Sequence, residues 1–465
     1  MNMLLTRWEP DNRIFWEAEG SRVARRNLAL SIPPLVLSFA VWMLWSAVVV
    51  YLPHVGFRFT TAQLFWLAAL PGLAGGTLRL FFAFMVPVVG GRIWTTVSTA
   101  LLLLPALGIA LAVQDPATGY PTFLLLALAA GIGGGNFASN MANLSFFYPT
   151  DRKGAALGLN AGLGNLGVGL AQLAVPLVIG GAVFGALSGA PQQFVDGDGV
   201  RDVWLQNAGY VWVPLIVLAA AAAWYGMDDI ASVRSSFAEQ AVIFVRPHTW
   251  LLSWLYLGTF GSFIGFSAGL PLFAETQFGA SPLAYAFLGP VVGAAARPAG
   301  GWLADRFGGA RIALGAFIVL ASASVLLATA LPGEGTGGSY GTFLALAFVL
   351  FAASGAGNGA VFNMIPVVFA REREHGAQPG DAEALARARH DGALEGAAAI
   401  GFASAIGAFG AFFIPKILGA AISLTGGAQA AAWVFTVFYA TCIALTWVAY
   451  ARRGAAPDRL SRRQP

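Results

Sequence analysis

Long apolar stretches, separated by short polar ones, recur along the whole chain. Each reaches about 20 residues or more, which is enough for a helix to cross a hydrocarbon core roughly 30 Å thick. The pattern predicts twelve membrane-spanning helices, here called spans 1 to 12, at residues 28–52, 61–89, 93–113, 120–148, 154–182, 205–226, 249–273, 282–303, 311–331, 340–369, 393–422 and 429–451. The expected fold class is therefore an all-α polytopic membrane protein.

The polar stretches predict how these spans are grouped. Residues 1–27 lack the apolar core of a cleaved signal peptide, and we expect them to form an amphipathic cytoplasmic segment. The predicted organisation continues with a six-helix bundle at 28–226, a cytoplasmic linker at 227–248, a second six-helix bundle at 249–452 with a charged insertion at 371–392, and a cytoplasmic tail at 453–465. The insertion is expected to be a solvated connector, with regulation or recruitment of a partner as the alternative.

The basic residues predict the orientation of the spans, because Lys and Arg near span ends stay on the cytoplasmic side. Of the 26 basic residues, only Arg58 and Arg201 fall in loops of the opposite side, while Arg79, Arg297 and Lys416 lie within spans. Both termini are therefore expected in the cytoplasm. The same asymmetry accounts for the formal net charge of +4, which is not evidence for nucleic-acid binding.

Composition and short motifs favour a membrane protein without catalytic machinery. Hydrophobic residues make up 57% of the chain and charged residues 10%, whereas about a quarter of an ordinary soluble domain is charged. The single cysteine, Cys442, excludes an intrachain disulfide, and no metal-ligand spacing or P-loop occurs. The segment "GLGNLG" at 162–167 satisfies G-x-G-x-x-G but lies inside an apolar helix with no preceding strand. We expect neither an enzyme nor a bound cofactor or metal.

The two halves of the chain repeat one plan. Arg79 and Arg297 are separated by the same interval as Pro53 and Pro271, which end "VVVYLP" and "FSAGLP", and each arginine is followed by a Gly-Gly pair. Further along, "GNFA" at 135–138 matches "GNGA" at 357–360 with nearly the same interval. Many transporters are duplicated around a central site, so we expect two pseudo-symmetric bundles related by an axis along the membrane normal.

Spans 5 and 11 share a glycine pattern, G-x5-G-x2-G. Closely spaced small residues let helix backbones approach one another, and glycine also lets a helix bend or slide. Ordinary membrane packing accounts for any single glycine, but the shared pattern predicts a gating role. The candidate gating glycines are Gly158, Gly164, Gly167, Gly401, Gly407 and Gly410.

Two arginines lie near the middle of their spans, Arg79 in span 2 and Arg297 in span 8. An arginine cannot lose its proton in a protein, and a charge at the bilayer centre costs at least ~2.5 kcal/mol, so it normally faces a cavity or a partner. All acidic residues fall in termini, loops or span ends, where Glu275 and Glu395 come closest to the membrane, and all four histidines fall in loops. The pattern therefore predicts a small oxyanion as the partner, held by planar guanidinium groups.

The alternative is that each arginine snorkels or binds backbone carbonyls, which does not explain why both occupy equivalent positions.

Buried amides add a second set of candidates, because an amide in lipid needs a hydrogen-bond partner. We expect some of these amides to join helices and at least one to contact substrate. They are Asn136, Asn140, Asn143, Asn160 and Asn165.

The sequence resembles the nitrate/nitrite porter family (NarK type) of the major facilitator superfamily over nearly its whole length. The most specific pieces are "GGGNFASNMANLSFFYP", "GLNAGLGNLG", "GFASAIGAFGAFFIPK" and "YLGTFGSFIGFSAG". The resemblance implies a secondary transporter in the bacterial inner membrane that moves nitrate and nitrite through the lipid bilayer. We expect it to be monomeric.

The resemblance also implies which residues bind and which gate. The anion-binding arginines fall on Arg79 and Arg297, and the aromatic pair that encloses the anion falls on Phe137 and Phe260. The polar contacts fall on Tyr256, Asn165 and Ser404. The segment "GGWLADRFGGARI" resembles the superfamily's cytoplasmic gating loop and places Asp305 and Arg306 at the inner gate, whereas the first half lacks the corresponding acid after "VPVVGG".

These residues favour alternating access in which nitrate is exchanged for nitrite, as suits a cell that respires nitrate. Two fixed positive charges disfavour closure around an empty site, and the spans hold no Asp, Glu or His at mid-depth to carry a proton. Nitrate/proton symport is the alternative within the family. An anion channel or a non-transporting anion receptor also fits the arginines, but fits the repeat and the glycine-rich helices less well.

Overall fold

The computed structural model describes residues 4–197, 199–231, 242–279, 283–332, 338–376 and 382–452. The predicted tail at 453–465 lies outside the described residues, as do residues 232–241 of the predicted linker and 377–381 of the predicted insertion.

The spans of the first half are helical, and several are interrupted. Their helices are Ser21–Tyr51, Thr61–Phe82 with Met85–Val89, Gly91–Ala100 with Leu103–Ala112, Tyr120–Phe147, Thr150–Val178, and Asn207–Tyr210 with Trp212–Gly226. Prolines lie beyond the first turn in three of them, at Pro33 and Pro34, Pro71 and Pro176. Proline removes a backbone hydrogen bond, so each is a place where the helix can bend.

The spans of the second half are also helical. Their helices are Pro247–Tyr256, which continues through a π turn at Leu257–Gly261 into Ser262–Phe278, then Leu283–Ala286 with Leu288–Phe307, Gly309–Ala330, Tyr340–Gly376, Ala382–Ala408 with Gly410–Thr425, and Gln429–Thr446, which continues into a π turn at Trp447–Ala451. By length and composition, eleven helices among the described residues can cross a membrane. Leu288–Phe307 is a helix of 20 residues but is not one of the eleven, because its glycines, Arg297 and Asp305 make it less apolar.

Short elements accompany the spans. Leu4–Leu5 pairs in parallel with Asp229–Ile230, and Gln192–Asp196 pairs antiparallel with Gly199–Val203. Brief helical turns occupy Arg13–Phe15, Trp16–Gly20, Pro53–Val55, Gly185–Ser188 and Val242–Val245. The predicted all-α class is therefore observed, and the described residues add two small strand pairs that the sequence pattern did not predict.

The chain divides into two compact units. Unit 1 comprises Met1–Ser235, Gly265–Val291 and Ala411–Ala420, and unit 2 comprises Ser236–Ile264, Val292–Gly410 and Ala421–Pro465. Unit 1 thus holds the six spans of the first half together with parts of spans 7, 8 and 11. The domain bounds expected from the repeat stay a prediction.

Glycine permits close helix crossings inside each unit. In unit 1, a Cβ added to Gly134 would lie 2.7 Å from the Cα of Gly75, so spans 2 and 4 touch through their backbones. In unit 2, a Cβ added to Gly359 would lie 2.1 Å from the carbonyl oxygen of Arg297, so spans 8 and 10 meet in the same manner. Side chains larger than hydrogen are excluded at both crossings, and each crossing lies beside one of the two arginines.

Amides and the N-terminal segment hold unit 1 together. Asn136 Nδ2 donates to Ser38 Oγ at 3.0 Å and to the Ser98 carbonyl at 3.2 Å, which joins spans 1, 3 and 4. In the N-terminal segment, Trp8 Nε1 donates to the Phe146 carbonyl at 2.9 Å, and Asp11 accepts from the backbone N–H of Thr150 at the start of span 5. The segment before span 1 is therefore attached to the loop between spans 4 and 5.

Candidate functional site

Arg79 is buried inside unit 1 and held by both backbone and aromatic rings. Its side chain is 1% exposed, and its Nε donates to the Gly134 carbonyl at 2.7 Å. The guanidinium carbon lies 4.5 Å from the centroid of the Phe137 ring and 5.1 Å from that of Trp42. Cation–π attraction strengthens when water is excluded, so both rings stabilise the charge. The structure therefore brings together two of the predicted site residues, Arg79 and Phe137, and the Nε of Arg79 also donates to a backbone carbonyl.

Three helices fix this arrangement. Trp42 Nε1, in span 1, donates to the carbonyl of Pro71 in span 2 at 2.7 Å, which joins the two helices. A Cβ on Gly75 would lie 2.8 Å from Trp42 Nε1, so only glycine leaves room for the indole. The indole therefore lies between span 2 and span 4, directly beside Arg79.

Arg297 is buried inside unit 2 in different surroundings. Its side chain is 7% exposed, and its guanidinium carbon lies 5.2 Å from the centroid of the Phe362 ring. Both terminal nitrogens, Nη1 and Nη2, are buried without a hydrogen-bond partner among the residues that the structure describes. An unmade hydrogen bond from a buried group costs about 1–3 kcal/mol, and more when the group is charged. Arg297 thus presents two donors whose bonds a ligand would complete.

Tyr256 and Phe260 lie one turn apart in span 7, also in unit 2. Their ring centroids are 5.5 Å apart, and both side chains are almost completely buried. Tyr256 Oη has no hydrogen-bond partner within the described part of the chain. A Cβ on Gly407 would lie 2.7 Å from Tyr256 and 3.1 Å from Phe260, so this predicted gating glycine packs against both rings.

The two other predicted polar contacts are buried as well. Asn165, in unit 1, is 2% exposed, and its Oδ1 has no partner among the described residues. Ser404, in unit 2, is 1% exposed, and its Oγ donates to the carbonyl of Gly401 in the same helix at 2.8 Å. Both positions therefore place a polar group inside a unit, although the unpaired atom of Asn165 is an acceptor and the Ser404 hydroxyl already donates to Gly401.

The predicted gating glycines fall into two groups. A Cβ would meet nothing within 4 Å at Gly158 or Gly401. At Gly167 it would lie 2.1 Å from the Val36 carbonyl, and at Gly410 it would lie 2.2 Å from the Gly261 carbonyl. Gly164 also packs closely, against Leu35. Gly407 packs closely against the two rings described above. Spans 5 and 11 thus rely on glycine for close contact at four of these six positions.

Asp305 and Arg306 end span 8 with separate partners. Asn363 Nδ2 donates to Asp305 Oδ1 at 3.1 Å, which ties span 8 to span 10. The Arg306 guanidinium lies 5.8 Å from the Trp302 ring and 5.5 Å from the Phe307 ring. Their gating role stays a prediction.

In the first half, an acid from the short strand after span 6 occupies the corresponding region. Asp229, which follows span 6, accepts from the backbone N–H of Arg92 at 2.8 Å and from Arg92 Nε at 3.2 Å. A Cβ on Gly90 would lie 2.8 Å from Asp229 Oδ1. Sequence reasoning missed this residue because it looked for the acid beside the Gly-Gly pair. The acidic pair directly after the last apolar residue of span 6 is the signal that pointed to it.

The two acids closest to the membrane both have basic partners. Glu395, 7% exposed, accepts from Arg246 Nη2 at 3.2 Å and from Arg373. Glu275 lies 3.1 Å from His54 Nε2. Within the described ranges, no group of three or more His, Cys, Asp or Glu side chains is placed to hold a metal ion.

Sequence reasoning also missed two aromatic neighbours of the arginines. Trp42 precedes Phe260 by the same interval that separates Arg79 from Arg297, so the repeat itself pointed to it. Phe362 lies beside Arg297, but its counterpart in the first half is Asn140, which gives no such hint. The repeat therefore keeps the arginines more strictly than the rings around them.

Comparison with known proteins agrees with this arrangement. The chain matches the Major Facilitator Superfamily over residues 23–378. It is 49% identical to the nitrate/nitrite transporter NarU of Salmonella typhimurium, over 97% of this chain and 96% of that protein. It is 40% identical to the probable nitrate/nitrite antiporter NarK2 of Thermus thermophilus, over 97% of each chain.

A solved structure shares the fold. The bacterial homologue of the human lysosomal transporter Spinster, in an inward-facing and occupied conformation, has a TM-score of 0.62 at 15% identity and covers 94% of this chain and 98% of its own. At that identity the likeness concerns the fold alone. Together with the full-length sequence matches, it shows that the chain belongs to the Major Facilitator Superfamily and, within it, to the NarK-type nitrate/nitrite porter family.

Proposed function

We propose that this protein transports nitrate and nitrite by alternating access, and that Arg79 and Arg297 bind the anion. The proposal gives Phe137, Phe260, Tyr256, Asn165 and Ser404 the remaining contacts. The relatives named above, which are transporters of these anions, support the substrate class. The superfamily consists of transporters rather than enzymes, and the chain is a multi-pass membrane protein.

The observation that carries the proposal is the state of Arg297. A permanently charged group is buried with both terminal nitrogens lacking partners within the described residues. A planar oxyanion accepts two parallel hydrogen bonds from such a fork, which is the strongest pairing that a guanidinium makes. Nitrate and nitrite are both small enough and flat enough to lie against the adjacent aromatic rings.

Exchange of one anion for the other is the mechanism that we favour. Two fixed positive charges repel each other when the protein closes without a ligand, and one bound monovalent anion reduces that repulsion. Return of the empty protein is then slow, so transport requires an anion in each direction. The acids nearest the membrane bind His54, Arg246 and Arg373 and are thereby engaged, which disfavours them as proton carriers.

We further propose that the protein lies in the bacterial inner membrane as a monomer with both termini in the cytoplasm. The distribution of basic residues supports that orientation. The proposed partners are nitrate, nitrite and the surrounding lipid, without nucleic acid and without a cofactor.

Nitrate uptake into proteoliposomes tests the mechanism. Three preparations are compared: vesicles loaded with nitrite, vesicles without internal nitrate or nitrite, and such empty vesicles under an inward proton gradient. We expect uptake only with an anion inside. Proton-driven uptake into empty vesicles would establish symport instead, and unsaturable uptake in every preparation would establish a channel. Binding without uptake would identify a receptor.

A further inference from the structure

Asn358 is a buried amide that the proposed site does not use. It lies inside the helix Tyr340–Gly376, and its side chain is 2% exposed. Its Nδ2 has no hydrogen-bond partner among the described residues. Buried polar groups in native proteins are almost always paired, so an unpaired amide donor calls for a physical explanation.

The position of Asn358 points to Arg297. Asn358 and Phe362 are four residues apart and therefore lie on one face of span 10. The Phe362 ring contacts the Arg297 guanidinium at 5.2 Å, and the next residue after Asn358, Gly359, touches the Arg297 backbone. All of these residues belong to unit 2. The amide donor thus lies one helical turn from the ring that contacts the guanidinium.

The other half of the repeat supplies a comparison. Asn136 occupies the equivalent position, in "GNFA" where Asn358 stands in "GNGA", and is also buried. Its Nδ2 makes two hydrogen bonds, to Ser38 Oγ and to the Ser98 carbonyl, and so joins three helices. Asn358 Nδ2 makes no such bond within the described part of unit 2. Helix packing therefore accounts for the amide in the first half and does not account for the one in the second.

We propose that Asn358 is a further anion-binding residue, whose Nδ2 donates to an oxygen of the anion held by Arg297. This inference rests on the proposed function. An amide supplies a directed hydrogen bond without adding a third positive charge to the proposed anion site. Nitrate has three oxygens and nitrite two, so a donor beyond the guanidinium fork has an additional oxygen to bind only in nitrate. The amide is therefore expected to favour nitrate over nitrite.

Equilibrium binding to the purified full-length protein tests the inference. The probes are sodium nitrate and sodium nitrite, titrated separately, and the variants are Asn358→Ala and the isosteric Asn358→Asp. A hydrogen bond to a charged group supports a change of roughly 10- to 100-fold in affinity. We expect Asn358→Ala to raise the Kd for nitrate at least about 10-fold, with a smaller rise for nitrite. Asn358→Asp should abolish binding of both, because its carboxylate takes the place of the anion beside Arg297.

Ser354→Ala is the matched control. Ser354 lies one turn before Asn358 on the same face, is fully buried, and donates to the Phe351 carbonyl of its own helix at 3.0 Å. We expect Ser354→Ala to bind nitrate and nitrite with the same affinities as the unsubstituted protein. Unchanged nitrate affinity in Asn358→Ala would overturn the inference. An equal loss of affinity for both anions together with a lower Tm would also overturn it, because it would show that Asn358 serves helix packing. If the unsubstituted protein binds neither anion, the proposed function itself fails.

Discussion

Arg79 and Arg297 occupy equivalent positions of the repeat in unlike surroundings. Arg79 is bonded to a backbone carbonyl and lies against two rings, whereas Arg297 lies against one ring with its terminal nitrogens unpaired among the described residues. Span 4 supplies Phe137 where span 10 has Gly359 at the matching place in the repeat. The duplication thus kept the charge and changed its environment. The protein binds Arg79 through its Nε, whereas the two terminal nitrogens of Arg297 are the donors that we propose bind the anion.

The largest expected effect comes from replacing Arg297, whose terminal nitrogens we propose bind the anion. Arg297→Lys keeps the charge but loses the planar fork, so we expect initial rates of nitrate uptake in proteoliposomes to fall at least about 100-fold. Arg79→Lys is also expected to impair transport strongly, by about 10-fold or more. Arg25→Lys, at an exposed position near the start of Ser21–Tyr51, serves as the control. Wild-type rates in Arg79→Lys would contradict an anion-binding fork there, and equal losses in both variants would break the comparison.

A second prediction concerns stability without a ligand. Arg79→Met removes a buried charge-assisted hydrogen bond and two ring contacts, so we expect it to destabilise the protein by about 2 kcal/mol. Arg297→Met removes a buried charge whose terminal nitrogens lack hydrogen-bond partners among the described residues, so the expected change is neutral or stabilising, by up to about 1 kcal/mol. The measurement is the Tm of each purified variant in detergent free of nitrate and nitrite. A lower Tm for Arg297→Met than for Arg79→Met would contradict the comparison, because it would show that contacts within the protein stabilise Arg297 more than Arg79.

The smallest expected effect lies at the end of span 6. Asp229→Asn keeps an oxygen for the Arg92 backbone but loses the ion pair with its guanidinium, at a cost of about 1 kcal/mol. We expect a small fall in Tm and uptake slowed by about two- to five-fold. Glu17→Gln removes an exposed ion pair with Arg13 and should change neither quantity. If Asp229→Asn and Glu17→Gln have the same Tm and the same uptake rate, the ion pair of Asp229 contributes no more than an exposed one.

Much of this architecture follows from the sequence because hydrophobic length and repetition are strong signals in a membrane protein. The spans, the paired arginines and the glycine-rich helices all depend on patterns of that kind. Burial of Arg79 and Arg297 follows from their position within spans. Contacts between elements that are distant in sequence have weaker signals, which are the interval of the repeat for Trp42 and the acidic pair after span 6 for Asp229, and both residues were missed.

Local irregularities were also beyond prediction. The strands Gln192–Asp196 and Gly199–Val203 are five residues each, too short for an alternating pattern to stand out within a polar loop. The π turn at Leu257–Gly261 depends on packing rather than on any residue that enforces it. It lies between Tyr256 and Ser262 and includes Phe260, so it alters the direction of a predicted site residue without altering its place in the sequence.

Asp229 has a consequence for how duplicated proteins diverge. Near its Gly-Gly pair, the second half carries its own acid, Asp305, whereas the first half receives one from beyond the end of span 6, so that four spans lie between Arg92 and Asp229 along the chain. A carboxylate can therefore lie near the Gly-Gly pair in both halves although it comes from a different part of the chain in each. A chimera that exchanged spans 2 and 3 with a relative, but not the end of span 6, would separate a pair that no alignment of the two halves reveals.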